Sequence, residues 1–224
     1  MNQPVINMIH VPIINHDLPI INVTIFDWDD TLLCSTFLSS IGYKLDTQMD
    51  HYMIEQLKIH EELIIGIFKQ AITYGPVFII TNAETGWVEL SSEKFIPSII
   101  PMLQQIKVIS ARSEYEKQYP NDPFKWKCCA IDSVIGHLLS DITINKNIMS
   151  FGDSHIERNA LFSVTKEKLQ TLTKSLKFAE HPSIEQLKAQ LNCLNNAFNS
   201  IQEHTVSHLD LQLTISQNDT INTT

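Results

Sequence analysis

Apolar and polar positions along this chain switch repeatedly between a strand pattern and a helix pattern. Residues 20–26 form a mostly apolar, β-branched run, which predicts a parallel strand covered on both faces. A helix is predicted over about 48–74, because Met53, Leu57, Ile64, Phe68 and Ala71 recur at helical spacing. Gly75-Pro76 should stop it: a residue tolerant of left-handed backbone, then one that cannot continue a helix. Val77–Ile80 reads as the second strand, Gly86–Phe95 as a helix, Ile96–Leu103 as a further apolar segment, and Ile106–Ile109 as the third strand. Ser110–Asp122 is polar and irregular. Asp122-Pro123 then opens a helix to about Leu139, with Asp as cap and Pro in the first helical position. Ile148–Phe151 is the fourth predicted strand, His155–Thr165 a helix, and Leu176–Phe178 a short fifth strand. From Ser183 to Ile201 one face carries Ile184, Leu187, Leu191, Leu194, Phe198 and Ile201, an amphipathic helix.

Strands alternating with helices predict a three-layer, Rossmann-like parallel sheet flanked by helices, with right-handed crossovers. The expected organisation is an irregular leader over 1–17, a single α/β domain over 18–204, and a C-terminal segment with a polar tail over 205–224. In such sheets ligands bind beyond the carboxyl ends of the strands. The unusual polar residues fall at four of those ends: Asp27 and Asp29, Thr81 and Asn82, Ser110 and Arg112, and Asp153.

Composition narrows the function classes. The net charge of −9 disfavours nucleic acid and anionic membranes as partners, although Lys94–Lys127 holds six basic residues against three acidic ones. The longest apolar runs, such as Leu63–Phe68, are far too short to span a bilayer. Met1–Asp17 has neither a basic cluster nor a long apolar core, so no signal peptide and a cytoplasmic location are expected. The four cysteines, 34, 128, 129 and 193, lack CxxC spacing and read as reduced thiols rather than zinc ligands or a disulfide framework. The glycosylation sequon at Asn22 falls in the first predicted strand, and those at Asn218 and Asn222 fall in the tail; without a secretory signal they read as chance matches.

The chemistry concentrates in Phe26-Asp27-Trp28-Asp29-Asp30-Thr31-Leu32-Leu33. Two carboxylates two residues apart, where a buried strand runs into a loop, are placed to present a nucleophile and a proton carrier to a metal-bound phosphate. On an extended strand they would share a face, and a bend at the strand end lets them diverge. With FIITNA, the lysine of FKWK and FGDSHIE, this segment resembles the four motifs of the haloacid dehalogenase-like (HAD) phosphohydrolases, in the same order and over residues 20–160. The resemblance implies a phosphatase in which Asp27 is the nucleophile, forming an aspartyl-phosphate, and Asp29 the general acid and base. It further implies that Thr81, Asn82 and one lysine hold the phosphoryl group, and that Asp27, Asp153 and the Asp29 carbonyl bind Mg²⁺.

Several assignments stay open at this stage. Lys127 fits the family pattern better than Lys125, and two residues so spaced cannot share a helix face. Glu157 is either a metal-shell acid or the far end of a Ser154-x-x-Glu157 capping box. Asp30 stands where many relatives carry Gly and is given a turn role. Thr31 either bonds near Asp27 or caps the loop, Arg112 contacts phosphate or simply lies at the surface, and His155 near the site reads as incidental. About 15 residues, Cys34–Gln48, precede the long helix, and core elements use the chain between Asn82 and Lys127, so a capless or minimally capped member is expected. The substrate would be a phosphoprotein or a small phosphometabolite. The competing classes are a catalytically weak HAD-like binding or scaffold protein, and a signalling receiver that keeps its phosphate.

Overall fold

The computed structural model describes residues 14–214. The first apolar run becomes β1 (Ile20–Phe26), which lies between β2 (Val77–Thr81) and β4 (Asn145–Gly152). With β3 (Lys107–Ser110), β5 (Thr171–Lys177) and β6 (His208–Gln212) the strands form one all-parallel sheet in the order β3-β2-β1-β4-β5-β6. This is the doubly wound, Rossmann-like order. Its topological switch point lies between β1 and β4, where successive crossovers leave in opposite directions and open a crevice at the carboxyl end.

Helices cover both faces and divide the core in two. On one face α2 (His51–Tyr74), α3 (Trp87–Phe95) and α8 (Ile184–Glu203) pack with Phe26, Phe151 and Leu176. On the other, α5 (Ala111–Tyr115), α6 (Pro123–Leu139) and α7 (His155–Thr165) pack with Val23, Ile25, Ile80 and Ile148. The predicted α2 stripe is buried as expected, and so are the polar His60 and Glu61 of the same helix. Short α1 (Ser35–Ser40), the 3₁₀ turn Pro97–Ile99 and α4 (Ile100–Leu103) complete the helical elements.

Five predictions need correction. Gly75 is extended, with φ 166°, rather than left-handed; an added Cβ would lie 2.3 Å from the Asn22 carbonyl oxygen, so closeness to β1 is what demands glycine. The supposedly irregular stretch after β3 contains α5, which Ser110 caps by accepting from the Ser113 amide. β4 starts three residues earlier than predicted, and β5 runs over Thr171–Lys177 rather than 176–178. Beyond residue 204, the chain contributes β6, a sixth strand paired in parallel with β5, so the α/β unit continues through Gln212. The sequon at Asn22 lies on β1, with its side-chain amide donating to the Tyr74 carbonyl. The sequons at Asn218 and Asn222, most of the 1–17 leader and the polar tail lie outside the described residues.

Candidate active site

Asp27 follows directly on β1, and its amide donates to the Phe151 carbonyl of β4 at 2.8 Å. That bond fixes it on the crevice between the two strands. Its carboxylate is buried and accepts a hydrogen bond at 2.5 Å from the Lys127 ammonium. Asp122 caps α6 by accepting from the Lys125 amide, and the buried face of this helix carries Lys127 inward. The ammonium has three donors and meets three acceptors: Asp27 Oδ1, the Ile80 carbonyl at 2.5 Å and Glu157 Oε1 at 3.2 Å. Lys125 points the other way, exposed, with its ammonium 5.8 Å from the centroid of the Tyr119 ring.

Burial pushes the Asp27 carboxyl well above the usual carboxylate range, against the opposing charge of Lys127; Glu157 and Asp153 add to the rise. Burial would likewise lower Lys127, but the negative charges of Asp27 and Glu157 outweigh it and hold the ammonium above its ordinary value. Glu157 is lowered although burial opposes this, because Lys127 and the Ser154 hydroxyl bond its charged form. Of the two readings of Glu157, the capping box is present, and the same carboxylate also meets Lys127. One oxygen closes the capping box with the Ser154 amide at 3.2 Å, and the other pairs with Lys127. Gly152 makes room for this, since a Cβ there would come 2.6 Å from the Glu157 side chain.

Asp153, at the end of β4, is half-buried. Its carboxyl is pushed up to about 7, chiefly by burial and then by the charges of Glu157 and Asp30. Asp29 sits in the loop after Asp27 and is bonded on both oxygens. Oδ1 accepts from the Ser35 hydroxyl at 2.7 Å and the Trp87 indole at 2.9 Å, and Oδ2 is 3.4 Å from the Thr81 hydroxyl. Thr81 in turn accepts from the Ala83 amide at 2.9 Å, which tightens the turn after β2. A recess of about 500 Å³ opens beside Asp29, lined by Ser35, Thr36, Ser39, Ser40 and Trp87.

Other candidates are placed differently. The Asn82 amide donates to the Pro123 carbonyl at 3.4 Å, tying β2 to α6 rather than contacting Asp27. Asp30 has φ 55°, the left-handed backbone that favours glycine, and its carboxylate accepts from the Thr36 amide at 3.1 Å and meets His181 Nδ1 at 3.1 Å. The Thr31 hydroxyl is buried and has no partner among the described residues. Arg112 pairs with Glu116 at 3.1 Å on the surface of α5. His155 is exposed, with its ring 3.4 Å from the Arg158 guanidinium.

No protein-family model matches this chain, and no curated protein matches it significantly. The geometry thus stands on its own chemistry. It comprises a buried carboxylate–ammonium pair at the switch point, a second carboxylate held beside a recess, and a third across the crevice just after β4. Sequence reasoning missed Ser35, His181 and the bond from the Trp87 indole to Asp29. Among the described residues no three His, Cys, Asp or Glu side chains are grouped to hold a metal. No helix there is long and apolar enough to cross a membrane.

Proposed function

We propose that this chain is a HAD-like, Mg²⁺-dependent phosphate-monoester hydrolase, capless or minimally capped, acting through an aspartyl-phosphate on Asp27. The observation that carries the reading is the buried Asp27–Lys127 pair at the carboxyl end of the central strand. A carboxylate fixed there, with an ammonium beside it, can meet a phosphate dianion without prohibitive repulsion. Asp27 attacks phosphorus as the ester bond breaks, and Asp29 gives its proton to the departing oxygen. Asp29 then takes a proton from the water that attacks phosphorus in phospho-Asp27, releasing phosphate and restoring the carboxylate. Thr81 holds the phosphoryl oxygens, and Lys127, whose three donors are already engaged, offsets their charge from beside Asp27; Asn82 acts on them only through the turn it ties to α6.

The donor chemistry fits Mg²⁺, a hard cation that takes one or two carboxylates and keeps several waters. Asp27 and Asp153 are both pushed up by burial and by neighbouring negative charge, which marks a site short of positive charge. The Asp29 carbonyl completes the proposed protein ligands. When bound, the ion offsets repulsion between phosphate and carboxylates. The capless reading is supported by what the two usual insertion points hold: only α1 and turns before α2, and α3 to α5 with β3 between β2 and α6. An open site of this kind suits a phosphoprotein or a small phosphometabolite.

The test is phosphate release from p-nitrophenyl phosphate, sugar phosphates, nucleotides and phosphopeptides, with and without Mg²⁺. Release should require Mg²⁺ and fall to background in Asp27→Asn. Equal release by both folded proteins would instead assign the chain to a phosphate-dependent binding module.

A further inference from the structure

The tripeptide Asp27-Trp28-Asp29 is anchored to α3 at two points. The Trp28 indole donates to the Ser91 hydroxyl at 3.0 Å, and the Ser91 hydroxyl donates to the Trp87 carbonyl at 2.6 Å. The Trp87 indole then returns to Asp29 Oδ1 at 2.9 Å. Trp28 and Ser91 are both fully buried, so the circuit is fixed from beneath while Trp87 stands at the edge of the recess. Trp87 is the first residue of α3, and Gly86 before it takes the left-handed turn, φ 92°, that opens the helix. An indole N–H is a donor only and carries no charge. It can orient a carboxylate without competing for its proton.

The two oxygens of Asp29 are treated unequally. Oδ1 receives two short bonds, from Trp87 and Ser35, whereas Oδ2 has only the long 3.4 Å contact with Thr81. Resting on the hydrolase reading above, we propose that Trp87 is a positioning residue. With Ser35 it pins Oδ1 and leaves Oδ2 as the oxygen that carries the proton to the leaving group in the recess. As the phosphorus–oxygen ester bond breaks, the electron pair stays on the departing oxygen. The proton on Oδ2 passes to it, and Asp29 is left as a carboxylate stabilised by the two donors on Oδ1. The pinning matters most for a poor leaving group, whose oxygen cannot depart as an anion. It matters little for p-nitrophenolate, which can.

Trp87→Phe keeps the ring and removes the donor. Its kcat/KM, which reports steps through departure of the leaving group, should fall about tenfold or more on an alkyl phosphate and by under about threefold on p-nitrophenyl phosphate. Ser35→Ala, the second variant, should shift the ratio in the same direction. Equal losses on both esters would mean that Trp87 is merely structural. A separate readout does not depend on turnover. The chain has three tryptophans, so the indole N–H spectrum holds three signals, and Trp87→Phe identifies one of them. That signal should move in Asp29→Ala, and an unmoved signal overturns the proposal. A wild-type chain that hydrolyses neither ester removes the hydrolase reading and the proton-transfer step, while the indole signal still decides whether Trp87 holds Asp29.

Discussion

Lys127 carries a charge into the core and uses all three of its donors there. Removing one partner of such a pair costs more than the pair itself is worth, because the remaining charges stay buried and uncompensated. Lys127→Met should therefore lower stability by about 3 kcal/mol despite matching the stem in volume. Urea unfolding at neutral pH measures this, and a loss below about 1 kcal/mol would contradict it. His60 makes a second residue-scale case. Its Nε2 lies 2.6 Å from the Leu32 carbonyl, inside the loop that carries the aspartates, and its Nδ1 is buried without a partner among the described residues. Burial drives this imidazole from 6.5 down to about 4, against the bond to Leu32. The unfolded chain therefore binds a proton that the folded chain refuses as pH falls through 6.5, and stability drops until about pH 4. The expected loss approaches about 3 kcal/mol over that window, at about 1.4 kcal/mol per pH unit. Asp153, pushed up to about 7, acts in the opposite sense, because the folded chain takes its proton first and gains stability as pH falls. Unfolding curves at about pH 7.5, 5.5 and 4.5 should therefore show the His60 contribution as a difference, the wild type losing stability relative to His60→Leu as pH falls. Parallel slopes would assign the acid sensitivity to other groups.

At the scale of elements, what the sequence revealed depended on whether burial and polarity coincided. β1, α2, α6 and α7 were legible because their buried faces are largely apolar and the helices carry caps: Asp50 and Asp122 accept from the Met53 and Lys125 amides. β5 was largely hidden. Every residue of it is buried, yet it contains Thr171, Thr173, Lys174, Ser175 and Lys177. The lysines solve the contradiction by burying their stems and sending their heads to carbonyls; Lys174 reaches those of Ile201 and Gln202 at the end of α8. No period-two pattern survives such a composition. α1 is only six residues long, too short for a helical repeat to register. In the site, Asp27 and Lys127 could be read from motif spacing, whereas Trp87 and Ser35 could not. Their role depends on hydrogen bonds to Asp29 that exist only once the loop after β1 has folded against α1 and α3. Gly75 shows that a correct stop signal can have another cause. Gly75→Ala should cost about 1–3 kcal/mol through the clash with the Asn22 carbonyl. Thermal unfolding of that variant checks this, and an unchanged midpoint would mean that the junction gives way freely.

For the whole molecule, the unexpected β6 closes one side of the sheet. Leu209, Leu211 and Leu213 pack against the core, and Arg158 of α7 pairs with Asp210. Ending the chain after His204 should lower stability by about 3 kcal/mol, on the scale of three half-buried leucines, and expose the edge of β5. Ending it after Thr214 retains the strand and serves as the comparison. Melting curves of the two truncations distinguish the contribution of the strand from that of the residues beyond it, and equal midpoints would deny β6 a stabilising role. The strand order also bears on how the protein is made. β1 is central, and each later strand joins an edge that already exists, so none has to wedge itself between strands already paired. A chain leaving the ribosome can thus extend its sheet outward, first to one side and then to the other. Asp27 emerges early and stays without its ammonium until α6 has been synthesised, and without Asp153 until β4 has formed. The crevice at the switch point is therefore among the later features to mature, and a nascent chain cut short before Lys127 would carry Asp27 but not the ammonium that pairs with it.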